Sequence, residues 1–214
     1  MKTGREQLLA ALRVYLVTDE RNPGTALLPV IEQALAGGVT AVQLRRKVAL
    51  GREFMELGRT IRRLTREAGV LFFVNDRVDV AALVEADGVH IGQDDIPCQE
   101  ARKLLGPDVI IGVSASTVAQ ARTAELDGAD YLGVGAVYAT KSKPDADYTG
   151  LFGLRDICQA ISLPVVAIGG IGSEEAKAPI QHGAMGVAVV SAIMSASDPR
   201  VAAAHLRKVV ASSL

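Results

Sequence analysis

Tryptophan is absent from the sequence, and there are only four tyrosines, four phenylalanines, three histidines and two cysteines among its 214 residues. Cys98 and Cys158 lie far apart and form no Cys-x-x-Cys pair, so a reduced, cytoplasmic setting is expected rather than a disulfide scaffold. His90, His182 and His205 stand at no ligand spacing from one another or from a cysteine, which argues against zinc. Neither sign of charge dominates: 23 Lys and Arg face 24 Asp and Glu, for a net charge of −1. A general nucleic-acid surface is therefore not expected, and any anion site must be local. No apolar run is long enough to span a bilayer, and the short Leu8–Leu12 stretch lacks the length of a signal peptide, so no membrane partner is expected.

What is present is alternation. Short β-branched runs, at Val14–Val17, Ala41–Leu44, Leu71–Val74, Gly88–Ile91, Val109–Val113, Tyr131–Val134, Val165–Ile168 and Gly186–Val189, read as strands. Between them lie segments of helical period: Pro29–Leu35, Arg52–Ala68, Val78–Glu85, Pro97–Leu104, Thr117–Leu126, Leu154–Ala160 and Ser173–His182, with Val201–Ala211 after the last strand. Glycines at 37–38, 69, 106, 128 and 183 supply helix stops. Eight βα units of this kind predict an α/β fold, a (β/α)8 TIM barrel, with residues 1–214 forming a single catalytic domain. An open doubly wound sheet is the alternative. The barrel is preferred because polar residues follow every strand rather than one switch point.

In such barrels chemistry sits in the loops after the strands. Gln43, Arg45 and Lys47 share one face of an extended segment and suit a multiply charged anion, although a solvated basic patch is an equal reading. Asn75-Asp76 follows the third strand and Gln93-Asp94-Asp95 the fourth. Each motif alone better suits a turn or a helix cap, but beside the basic triplet Asp76 and one of the two later aspartates could share a hard cation such as Mg²⁺. Ser114 is placed to face the mouth, but no histidine–acid pair makes it a triad nucleophile, and Ser116 or Thr117 reads as a helix cap. Thr140, Lys141, Ser142 and Lys143 offer hydroxyls and ammonium groups to a phosphate. Gly169-Gly170 and Val190-Ser191 fall where this fold usually binds one. His90 reads as a packed or pore-lining residue. The connection Lys141–Gly153 reads as either a lid or an idle loop. Two anion sites, one with a metal, suggest an enzyme that joins two phosphorylated small molecules with loss of diphosphate.

The ordered set QLRRK (43–47), NDR (75–77), HIGQDD (90–95), GVSAST (112–117), YATKSK (138–143), GGIG (169–172) and VVSAI (189–193) closely resembles the thiamin-phosphate synthases, from Val14 to about Ile193. The resemblance implies a transferase that couples hydroxymethylpyrimidine diphosphate to a thiazole phosphate, or its carboxylated form. It implies a pyrimidine-diphosphate site at Gln43, Leu44, Arg45, Arg46, Lys47, Asn75, Ser114 and Lys143, with Arg45, Lys47, Ser114 and Lys143 as the catalytic members. It assigns Mg²⁺ to Asp76 and Asp95, and the thiazole phosphate to Thr140, Lys141, Ser142, Gly170, Val190 and Ser191. Departures are alanines at 136 and 139 where the family has prolines, Ser142 for threonine, and Met185 where an aspartate is usual. The first set is expected to loosen the loop; Met185 is expected to have a structural effect only. A thiazole tautomerase-like isomerase would not need the cations and aspartates. A non-catalytic phosphate-binding barrel should have lost some of them first. Whether the barrels assemble into a homo-oligomer is left open.

Overall fold

The computed structural model describes residues 4–19, 24–46, 51–140 and 147–214. The chain runs α1 (Arg5–Ala11), β1 (Val14–Val17), α2 (Gly24–Gly37), β2 (Ala41–Leu44), α3 (Gly51–Ala68), β3 (Leu71–Asn75), α4 (Val78–Leu83), β4 (Gly88–Ile91), α5 (Cys98–Leu105), β5 (Ile110–Ala115), α6 (Val118–Leu126), β6 (Tyr131–Val134), α7 (Gly150–Ala160), β7 (Val165–Ile168), α8 (Lys177–Gln181), β8 (Gly186–Val189), α9 (Ser191–Met194) and α10 (Pro199–Ala211). The strands form one closed parallel barrel in sequence order, with β8 returning to β1. No helix among the described residues is long and apolar enough to cross a membrane.

Strands covered on both faces read as unbroken apolar runs, yet their period of two still sorts the side chains. Val14, Leu16, Val42, Leu44, Phe72 and Val74 point outward into the layer shared with the helices. Tyr15, Val17, Ala41, Leu71, Phe73, Ile110, Tyr131, Val166 and Ala188 fill the barrel, joined by Leu8, Ala11 and Leu12 of α1. Thr40 Oγ1 ties α1 to the start of β2 by donating to Ala11 O at 2.9 Å. Inside the barrel, bulk on one strand is matched by glycine on another. A Cβ on Gly112 would overlap the Tyr131 ring, and one on Gly133 would lie 2.8 Å from His90 Cε1.

The eight strands stand where the alternation predicts, with differences at their ends. β5 runs to Ala115 and β3 to Asn75, so Ser114 and Asn75 belong to strands rather than loops. Four helices begin earlier than expected, α3 by the single residue Gly51. Pro29 lies inside α2 instead of opening it, α7 starts at Gly150 because Gly150 and Gly153 disguise its first turn as a loop, and α10 opens at Pro199 behind the Asp198 cap. α8 is shorter than Ser173–His182. α1 and α9 were not expected, since neither is long enough to display a helical period.

Candidate active site

The C-terminal ends of the strands surround a cavity of about 280 Å³, open at the mouth and floored by Tyr15, Tyr131, Val166 and Ala188. That is near the small end of ligand pockets and suits a small molecule. On the β2 side it is lined by Gln43 and Arg45. Thr18 holds this strand end in place: its N–H donates to Gln43 O, its Oγ1 donates to Arg45 O, and Arg45 N donates back to Thr18 Oγ1 at 2.9 Å. Arg46 turns away to pair with Glu53 of α3 at 3.0 Å, and Leu44 is buried in the outer layer, so neither presents its side chain to the cavity. Lys47 lies outside the described residues.

At the end of β3, Asn75 is buried and Asp76 adopts φ 60°, a left-handed conformation in which aspartate is among the better-tolerated side chains. Asp76 N donates to His90 O at 2.8 Å, which fixes the turn against β4. Asp95 closes the neighbouring turn by accepting Gly92 N at 2.7 Å through Oδ2. Asp76, Asp94 and Asp95 all line the cavity. The described mouth therefore carries five carboxylates (Asp19, Asp76, Asp94, Asp95 and Asp147) and one guanidinium, Arg45. Such a donor set suits a hard cation that also binds phosphate oxygens, since Mg²⁺ commonly takes one or two protein carboxylates. Among the described residues no group of three or more His, Cys, Asp or Glu side chains is placed to hold a metal ion together.

Across the cavity the loop after β6 lies directly on the loop after β7. Val137 N donates to Ile168 O at 2.9 Å and Tyr138 N to Gly169 O at 3.0 Å. Only glycine fits there. Gly169 and Gly170 have φ of 101° and 66°, and a Cβ on Gly170 would come 2.6 Å from Ala139 O. Gly170, Val190 and Ser191 line the cavity, as does Thr140. Among the described residues no hydrogen bond runs from the backbone N–H of Gly170 or Ser191 to a protein acceptor, and both residues line the cavity. Lys141, Ser142 and Lys143 lie outside the described residues, as do residues 144–146 of the connection that reads as either a lid or an idle loop. Its end, Asp147–Thr149, folds back on the base of the β6 loop: Ala136 N donates to Asp147 O and Thr149 N to Ala136 O.

Ser114 lines the cavity from β5 and accompanies a set of inward residues that the motif reading did not treat as a site: Tyr15, Tyr131 and His90. His90 Nε2 is 2.9 Å from Ser114 Oγ and its Nδ1 is 3.0 Å from the Tyr131 hydroxyl. Burial pushes the phenols of Tyr15 and Tyr131 well above their ordinary range, so both keep their protons. Thr117 caps α6, accepting Gln120 N at 3.2 Å, while Gln120 reaches back to Ser116 N.

Fold and cavity together define a phosphate-handling (β/α)8-barrel enzyme. Residues 14–193 match the model of the thiamine monophosphate synthase family, and the chain belongs to that family. It is 55% identical to the thiamine-phosphate synthase of Moorella thermoacetica over 91% of this chain and 93% of that one, and 49% identical to that of Coprothermobacter proteolyticus over 96% and 98%. The solved structure of thiamine phosphate pyrophosphorylase from Pyrococcus furiosus superposes with a TM-score of 0.88 at 44% identity, covering 97% of this chain and 99% of that one.

Proposed function

We propose that this chain, as one barrel domain, is a thiamine-phosphate synthase that transfers the pyrimidinylmethyl group of hydroxymethylpyrimidine diphosphate to the nitrogen of a thiazole phosphate, free or carboxylated, and releases diphosphate. The observation that carries the reading is one cavity with two unlike ends. The acidic β3–β4 turns and Arg45 line one part of it, and Gly170 and Ser191, from the loops after β7 and β8, line another.

In this reading Gln43, Asn75 and Ser114 hold the pyrimidine over the barrel floor. Arg45, with Lys47 and Lys143, takes the diphosphate. Asp76 and Asp95 would hold Mg²⁺, which would supply positive charge for the leaving diphosphate. The carbon–oxygen electrons leave with diphosphate, and the thiazole nitrogen lone pair forms the new carbon–nitrogen bond. No protein nucleophile is required; stabilising the leaving group is the main task of the side chains. Thr140, Lys141, Ser142, Gly170, Val190 and Ser191 orient the thiazole phosphate so that its nitrogen meets that carbon. The two unpaired cysteines accord with a reducing, cytoplasmic setting.

The test is to mix the pure protein with both phosphorylated substrates, with Mg²⁺ or with EDTA, and follow thiamin phosphate by chromatography. Mg²⁺-dependent product is expected. No product from folded protein would overturn the reading and bring forward an isomerase or a ligand-binding barrel.

A further inference from the structure

A single run of hydrogen bonds crosses the barrel beneath the mouth. Gln43 Nε2 donates to the Tyr15 hydroxyl at 3.0 Å, Tyr15 and Tyr131 hydroxyls are 3.0 Å apart, Tyr131 reaches His90 Nδ1 at 3.0 Å, and His90 Nε2 reaches Ser114 Oγ at 2.9 Å. Five residues from five different strands therefore share four links. An amide N–H can only donate, so it sets the direction of the whole run. Tyr15 accepts from Gln43 and gives its one hydrogen to Tyr131. Tyr131 gives its hydrogen to Nδ1. His90 is left with its proton on Nε2, where it donates to Ser114.

We propose that His90 is a positioning residue: held with its hydrogen on Nε2 by Gln43, Tyr15 and Tyr131, it occupies one lone pair of Ser114 Oγ and turns the serine hydroxyl into a hydrogen-bond donor for an acceptor atom of the ligand. Ser114 Oγ has no partner other than His90 among the described residues, and Ser114 lines the cavity. Its hydrogen is thus the one that the run leaves for the ligand. A hydrogen on Nδ1 has no place in this run. Nδ1–H would face the Tyr131 oxygen, and the Tyr131 and Tyr15 hydrogens would then compete for a single link inside a sealed floor where both rings are 1% exposed or less. Gly133 is the companion of this arrangement, because any side chain there would push His90 off its partners. Naming the ligand acceptor as a ring nitrogen or diphosphate oxygen of the pyrimidine substrate rests on the synthase reading; the direction of the run does not.

The first arm of the test needs no substrate. Nitrogen-15 NMR of histidine-labelled protein, with His90 assigned by its loss in His90→Gln, should show an unprotonated Nδ1 and a protonated Nε2. An imidazolium pattern, or protonated Nδ1 with bare Nε2, would overturn the proposal; the latter is the signature of the run reversed, with the Gln43 amide turned over. In Tyr131→Phe the exclusive Nε2–H pattern should be lost. The second arm is kinetic. His90→Phe should raise KM for the pyrimidine diphosphate about tenfold, the scale of one lost hydrogen bond, and leave KM for the thiazole phosphate unchanged. His90→Gln, which keeps an N–H toward Ser114, should recover part of the loss. An equal rise in both KM values would mark a structural role and overturn it. Absence of product from the wild-type protein would overturn the synthase reading alone, since the NMR arm reads the free protein.

Discussion

Asp87 takes both terminal nitrogens of Arg62, at 2.6 and 2.9 Å, and its Oδ2 also accepts the N–H of Phe72 at 2.8 Å. The same device recurs two units later. Asp130 accepts Arg102 Nη2 at 2.6 Å and Ile111 N at 2.8 Å. Each aspartate stands just before a strand, and each also donates its own N–H to the strand before it. A helix, the strand it precedes and the next strand are thereby joined at one carboxylate. Removing it would leave a guanidinium that is only 16% exposed without its partner. Asp87→Ala should cost roughly 3 kcal/mol of stability in urea denaturation. A loss below about 0.5 kcal/mol would mean the pair is no stronger than an exposed one.

The carboxylate thus repeats just before β4 and just before β6. At Met185 the backbone bond survives, N to Val165 O at 2.8 Å, but no carboxylate is present. The strands themselves were legible because apolar runs of four to six residues between glycine stops have few other uses. Less legible was which face each residue occupies. The period of two that grouped Gln43 with Arg45 also sends Tyr15, His90 and Tyr131 inward, yet an aromatic or histidine inside an apolar strand is ordinarily core. Only the closure of the barrel, which brings β1, β2, β4, β5 and β6 around one floor, turns them into a connected set. Arg46 and Leu44 show the converse, since their place in a motif says nothing of where their side chains go.

Asp76 and Asp95 can be tested without disturbing the turns they build. Asparagine tolerates the left-handed backbone of residue 76, and at residue 95 its amide oxygen can still accept Gly92 N. Asp76→Asn and Asp95→Asn should therefore melt within a degree or two of the wild type and lose roughly two to three orders of magnitude in kcat. EDTA should abolish wild-type turnover while barely moving the melting temperature. Near-wild-type turnover in either variant would remove that residue from the proposed metal site.

Gly133→Ala tests how tightly the floor is built. Its Cβ would lie 2.8 Å from His90 Cε1, closer than real Cβ contacts come, on a strand that cannot easily move because β5 and β7 flank it. The expected cost is about 1–3 kcal/mol in urea denaturation. The loss of pyrimidine-substrate affinity should resemble that of His90→Phe. Full stability and activity would show that the imidazole has room to shift.

The alkaline limb of stability follows from groups that the fold keeps protonated. Burial pushes the thiols of Cys98 and Cys158 up to about 11, and it raises the Tyr15 and Tyr131 phenols beyond their ordinary range. In the unfolded chain the thiols release protons near pH about 8.5 and the phenols near about 10. Above those values the folded protein binds more protons than the unfolded one, so unfolding free energy falls as pH rises. Stability should be flat up to about pH 8 and should then decline, first through the thiols and then through the phenols. The check is urea denaturation at pH about 7.5, about 9 and about 10.5, on the wild type and on the Cys98→Ala, Cys158→Ala double variant. The double variant should start lower, because Cys98 is packed in the outer layer, and should lose the earliest part of the decline. If both proteins fall with the same slope between pH about 8.5 and about 10, the thiols titrate alike in the folded and unfolded chains, and the alkaline loss belongs to the tyrosines of the barrel floor alone.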